Sequence, residues 1–161
     1  MITQNPAAEN IAGETPRYLE PGAFTRRVFN PFVARCTRWG ISLWGSRVLS
    51  VPGRVSGEIR STPVNVLTVE DRRYLVAPRG RTQWVLNVRA GGTCTLRVGR
   101  RVETVQLREL DDHDKPAVLR PYLRRWKWEV GQFFDGAGPD STDAELLAIA
   151  PNHPVFEISP R

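Results

Sequence analysis

The spacing of apolar and polar positions along the chain changes period twice. From Phe24 to Trp39 the residues Phe24, Val28, Phe32, Cys36 and Trp39 recur at three- and four-residue spacing, while Arg26, Arg27, Arg35 and Arg38 occupy much of the remaining circumference. This pattern predicts basic amphipathic helices over 24–44. Asn30-Pro31 divides the segment, with Asn30 as an N-cap and Pro31 opening a second helix. Such a stripe serves either to pack on its own domain or to lie on a membrane surface. The preceding residues 1–22 are polar and predict a flexible arm, leaving 23–161 as a single domain.

Farther along, the signal is that of strands. Arg60 to Val69, with Pro63, Val64, Val66, Leu67 and Val69, and Arg73 to Ala77 flank the tight turn Glu70-Asp71, which predicts a hairpin. WVLNVRA predicts a short helix ended by Gly91-Gly92. TCTLRV and VETVQLREL then alternate around Gly99-Arg100-Arg101 and predict a second hairpin. A helix is predicted over Asp114–Trp128, with Asp112 or Asp114 as its cap and Pro116 in its first turn. Its stripe is Val118, Leu119, Tyr122, Leu123 and Trp126, and Pro121 interrupts its interior. Thr142 and Glu145 have capping-box spacing ahead of a short helix that stops before Pro151, and HPVFEISP predicts a last strand. Antiparallel strands with peripheral helices predict an α+β fold whose sheet can close into a small barrel.

Charge and composition narrow the function less than the pattern narrows the fold. The net charge is +6, and lysine occurs only at 115 and 127, so nearly every cation is a guanidinium suited to phosphate and carboxylate oxygens. Arginine-for-lysine codon preference would leave the same mark. No stretch is long and apolar enough for a spanning helix, and the start lacks the pattern of a signal peptide, so a cytoplasmic protein is expected. Cys36 and Cys94 stand apart and predict inert buried thiols. His113 and His153 have no metal-ligand spacing, and no metal site is expected. No catalytic set of nucleophile and base presents itself, so a reaction here would draw its reactive atom from a cofactor. Interleaved aromatic stacking of the kind used for single-stranded nucleic acid is absent, which argues against that partner.

Two basic loops carry the sharpest local signal. In GRVSGEIRSTPVNV, Gly53 and Gly57 permit a tight turn, and Arg54, Ser56 and Arg60 form a potential anion site. Pro78-Arg79-Gly80-Arg81-Thr82 follows the next strand. Paired strands would bring both loops to one edge of the sheet, facing the same space; the alternative is a pair of solvated basic turns.

Taken in order, GRVSG, RSTPVN, LVAPRGR, WVLN and HPVFEI resemble the deazaflavin-dependent nitroreductases of actinobacteria, relatives of the split-barrel flavin-binding proteins. The resemblance covers roughly residues 23–158. It implies an antiparallel split β-barrel and a reductase passing hydride from the reduced 8-hydroxy-5-deazaflavin coenzyme (coenzyme F-420) to a quinone, nitro compound or similar small-molecule acceptor. By position in the motifs, Arg54, Ser56 and Arg60 would hold the coenzyme's phosphate region. Ser61, Thr62, Pro63, Val64 and Asn65 would border the ring, Ala77, Pro78 and Arg79 would line the next loop, and Gln83, Trp84 and Asn87 would close the pocket. Trp84 read without the resemblance is more often a packing residue than a pocket residue. Val55 departs from the family pattern, which has a second basic residue there. Relatives in the wider split-barrel group bind FMN, haem or other tetrapyrroles, so FMN is the alternative cofactor and non-catalytic cofactor binding the alternative function. A monomer or homodimer is expected, with peripheral membrane contact through residues 24–44.

Overall fold

A computed structural model describes residues 47–161 of the chain. The expected arm, the helices over 24–44 with their membrane contact, and Cys36 lie outside the described residues.

The first strand, β1 (Arg47–Pro52), has no counterpart in the sequence analysis, although Leu49 and Val51 alternate into the core. It pairs antiparallel with β2 (Ile59–Val64), so GRVSGE is the loop of a hairpin rather than a turn leading into an isolated strand. Within that loop the Gly53 amide donates to the Glu58 carbonyl at 2.8 Å, and Gly57 takes φ +70°, a backbone region that side chains disfavour. The long run expected over Arg60–Val69 is broken at Asn65 into β2 and β3 (Val66–Val69). β3 forms the anticipated hairpin with β4 (Arg72–Val76) through Glu70 and Asp71, both at positive φ. Two left-handed residues give the twist that matches paired strands in a two-residue loop. β5 (Cys94–Val98) and β6 (Arg101–Glu109) form the second expected hairpin, and β7 (Val155–Pro160) closes the chain between β4 and β6.

The sheet order β2-β1-β5-β6-β7-β4-β3 places β2 and β3 at opposite edges, although only Asn65 separates them in sequence. Two virtual bonds of about 3.8 Å span roughly 7 Å at most. The sheet must therefore curl until its edges approach, which gives a seven-stranded antiparallel split barrel. β4 alternates between two cores. Leu75 points into the barrel with Leu49, Val51, Leu96, Val105 and Phe156, whereas Tyr74 and Val76 join the helical side.

Helix α1 (Gln83–Arg89) plugs the barrel with Val85, and the Trp84 ring packs tilted against Phe156, centroids 5.4 Å apart. Helix α2 (Lys115–Val130) runs two residues beyond the predicted end and continues through Pro121. Its buried Val118, Leu119, Tyr122, Leu123 and Val130 supply the packing that offsets the missing backbone bond. Asp114 precedes the helix but its side chain makes no capping bond. Helix α3 (Asp143–Ile149) begins with the predicted capping box. Thr142 Oγ1 accepts from the Glu145 amide at 3.2 Å, and the Glu145 carboxylate accepts from the Thr142 amide at 2.7 Å. Among the described residues, no helix is long and apolar enough to cross a membrane.

Acidic side chains on the sheet are held by arginines. Arg73 bonds both oxygens of Glu103, Arg89 both of Glu109, and Arg108 and Arg72 flank Glu157. Cys94 is buried, and burial pushes its thiol pKa up, as expected of an inert thiol. His113 is exposed. His153 is buried and stacked on Phe134 at 4.1 Å, with the Pro78 and Ala77 backbone beside its ring.

Burial, assisted by the Lys115 cation, holds His153 below its ordinary pKa; the Pro78 and Ala77 backbone and the Asp135 carboxylate oppose this only in part. The unfolded chain binds this proton near pH 6.5, whereas the folded chain resists it. The stability His153 contributes is therefore complete above that pH and is lost as pH falls towards the folded pKa. Thermal unfolding between about pH 7 and pH 5 is expected to show a fall in Tm that His153→Phe reduces. Thr142→Ala should cost about 1 kcal/mol, read as a Tm lower by roughly 2–4 °C.

Candidate functional site

Curling the sheet leaves a cavity of about 690 Å³ between β2 and the end of β4. One wall is β2 and its exit, Arg60, Ser61, Thr62, Pro63, Val64 and Asn65. The facing wall is the end of β4 and the loop after it: Val76, Ala77, Pro78 and Arg79. Arg81, Thr82, Gln83, Trp84 and Asn87 come from the start of α1, and Tyr122, Glu129, Val130 and Phe133 from α2 and the turn after it. A second hollow of about 540 Å³ lies by Cys94 and Leu107, but its Arg108 is engaged by Glu157. Cationic groups converge only on the larger cavity of these two.

Of the two basic clusters expected to face one space, only Arg60 from the first joins Arg79 and Arg81 of the second at the cavity, and the reason differs from the one the sequence suggested. β2 and β4 are not hairpin partners; they are brought together by closure of the barrel. Arg60 forms an exposed pair with Glu58 at 2.8 Å, and the Arg79 guanidinium lies 4.8 Å from the Phe133 ring centre. These groups and Arg81 form a basic rim. Deeper in, Pro63, Val64, Val76, Ala77 and Trp84 make apolar walls.

Three expected site residues, Arg54, Val55 and Ser56, lie outside the cavity lining. Arg54 instead ties the β1–β2 loop to α1. Its Nη1 donates to Gln83 Oε1 at 2.9 Å and to Asn87 Oδ1 at 3.0 Å, and its backbone amide donates to the same Asn87 oxygen at 3.2 Å. Asn87 is buried, so this clasp satisfies a carbonyl that would be costly to leave unpaired. Ser56 Oγ accepts from the Glu58 amide at 3.3 Å, within the loop. Val55 is 92% exposed at its tip.

Tyr122 and Thr82 were not among the expected site residues. Burial, reinforced by the Glu129 carboxylate and only partly offset by hydrogen bonding with Asn65, pushes the Tyr122 phenol well above its ordinary pKa. The hydroxyl therefore keeps its proton, and it holds the residue that links the barrel edges. Thr82 Oγ1 is buried without a hydrogen-bond partner although Thr82 lines the cavity, which leaves an unsatisfied polar atom beside the ligand space. Tyr122 was legible only as a stripe residue of a helix, and Thr82 only as part of a basic loop.

Comparison with known proteins fits this geometry. No curated protein matches the chain. A solved F420-H2 dependent reductase is 18% identical and superposes over 71% of this chain and 94% of its own, with a TM-score of 0.52. A protein solved as a domain-swapped dimer is 16% identical, over 87% of this chain and all of its own, with a TM-score of 0.51. At these identities the likeness establishes the fold, the split barrel already visible in the strand order. The sequence itself goes further, because the family description of the F420H(2)-dependent quinone reductases matches residues 27–130. That span carries β1 to β6, α1 and α2, and so every residue of the cavity wall except Phe133; the chain belongs to the F420H(2)-dependent quinone reductase family.

Proposed function

We propose that this chain binds the reduced 8-hydroxy-5-deazaflavin coenzyme in the cavity between β2 and β4 and uses it to reduce a quinone or a similarly electron-poor acceptor. The observation that carries this reading is the pairing of an apolar slot with an arginine rim in one cavity. The coenzyme has the matching polarity: a flat ring system, then a phosphate and an oligoglutamate tail. A guanidinium suits phosphate and carboxylate oxygens equally, and Thr82 Oγ1 is a buried polar atom in need of a partner. The residues present therefore fit the group.

When bound, the reduced coenzyme supplies a hydride. The chain's own residues do the rest by position. Arg60, Arg79 and Arg81 would hold the anionic portion, while Pro63, Val64, Ala77 and Trp84 would confine the ring and exclude water from its faces. Reduction of a quinone to a hydroquinone also needs a proton, drawn from solvent at the cavity mouth or from a nearby hydroxyl. No side chain is required as a nucleophile. Phe133 and Tyr122, which also line the cavity, would offer aromatic surface to a planar acceptor.

Titration with the coenzyme, followed by absorbance, tests the proposal. Arg60→Ala and Arg79→Ala should each weaken binding about tenfold or more with little change in Tm. Arg54→Ala should weaken binding and also destabilise the fold by about 1 kcal/mol, because it releases Asn87 and Gln83. Val55→Lys, restoring the family's basic residue at the loop tip, should tighten binding. Absence of binding at moderate salt would overturn the proposal. Tight binding without oxidation across a panel of quinones and nitroaromatics would leave a cofactor-binding protein, and preferential retention of FMN would change the cofactor.

A further inference from the structure

The loop that carries Arg79 and Arg81 to the cavity is seated on the segment leading into β7. The Ala77 amide donates to the Pro154 carbonyl at 2.9 Å. Gly80 takes φ +74°, and a Cβ there would come within 2.9 Å of the Asn152 carbonyl, so backbone lies directly on backbone. Between those two contact points in the chain stands His153, which is 3% exposed. Its ring stacks on Phe134, and the backbone of Ala77 and Pro78 lies beside it. Phe133, the residue before Phe134, receives the Arg79 guanidinium on its ring. The loop is thus held at its base by the His153 segment and at its basic end by the turn on which the same histidine packs.

The seat beneath the ring is firmly built. The His153 amide and the Lys115 ammonium both donate to the Ala150 carbonyl, at 3.1 and 3.0 Å, and Lys115 also pairs with Asp112 at 2.5 Å. The charged groups around the ring are Lys115 at the start of α2, Asp112 on the turn before it, Asp135 on the turn after α2, and Arg79 on the loop. Two are cations, and Asp112 is engaged by Lys115. A proton on this ring is therefore a poorly solvated charge, relieved only where water can enter. Phe134 and Ala150 are fully buried, so the side that can yield is the loop.

We infer that His153 is a positioning residue for the arginine rim: with its ring neutral it holds the 77–82 loop in place for an anionic ligand, and with its ring protonated the loop lifts and capture weakens. The inference rests on the reading that the cavity takes an anionic coenzyme. Charge alone would act the other way, since a cationic ring attracts an anion. An anion already paired with Arg60, Arg79 and Arg81 presents little net field to a ring beneath the loop, so packing decides the sign. The coupling is reciprocal: a ligand that holds the loop down makes His153 harder to protonate.

His113 and His153 are the only histidines in the chain, so proton NMR of the imidazole signals tests this in the native protein, with exposed His113 as the internal reference. Saturation with the deazaflavin coenzyme should move the His153 midpoint about one unit towards acid and leave that of His113 in place. As pH drops through that midpoint, coenzyme affinity of the native chain should fall about tenfold further than that of His153→Phe, one unit between free and bound states being tenfold. His153→Phe keeps an aromatic stack without a titrating group, and His113→Gln should follow the native profile. A His153 midpoint that stays put or rises on binding overturns the inference, as does a ring that does not titrate before the fold is lost. So does a pH profile that His153→Phe leaves unchanged; where that variant fails to fold, the native titration decides. If the coenzyme binds at no pH, the coenzyme reading fails by itself, and the seat is followed without ligand. Hydrogen exchange at the bonded amides of Ala77, Gly80 and Thr82, corrected for the intrinsic effect of pH, should then quicken in acid in the native chain and not in His153→Phe. Equal protection in the two overturns the positioning role.

Discussion

One short covalent link governs the architecture. Asn65 alone joins two strands that stand at opposite margins of a seven-stranded sheet, and a chain cannot cross the width of a flat sheet in one residue. The sheet must roll, and rolling creates both the barrel core and the slit beside it. Hydrogen bonding between Asn65 and Tyr122 then fastens the link to α2, so the helix and the slit are positioned by the same residue. The remaining contacts, including the plug of α1 and the arginine clasp, refine a geometry that this link already imposes.

The division of labour among the cationic residues follows from that geometry. Arg60 and Arg79 come from strands and loops on facing margins and reach the opening. Arg54 sits on the hairpin loop outside the slit, within reach of α1 rather than of the cavity. Residues only a few positions apart in a basic motif thus serve different purposes, one holding the scaffold and the other facing the ligand space. A motif read as a unit conceals this, because it records residue types and not the sides of the loop on which they emerge.

Much of the fold was legible. Turns with left-handed residues, alternating strands and a capping box are local, and Glu70-Asp71, Gly99 and Thr142 all declare themselves within a few residues. Two features were not. β1 is six residues with only Leu49 and Val51 fully buried, too brief an alternation to stand out between a predicted helical segment and a glycine turn. The break at Asn65 is a tertiary event: Val64 and Val66 both suit a strand, and only their different partners, β1 and β4, divide the run. For the site, order of motifs located the facing loops, while the contributions of Tyr122, Thr82 and Glu129 depended on how α2 and α1 lie against the slit, which no spacing in sequence reports.

The ion pairs on the sheet have an effect beyond holding strands together. Glu103, Glu109 and Glu157 each neutralise an arginine locally, which lowers the field of the outer wall of the barrel. Arg60, Arg79 and Arg81 stand together at the opening. An approaching anion is attracted towards these cations before it makes contact. Such steering raises the rate of productive encounters and fades as ionic strength rises. Ion pairing on the wall thus weakens a competing attraction, a kinetic effect of residues that line no part of the cavity.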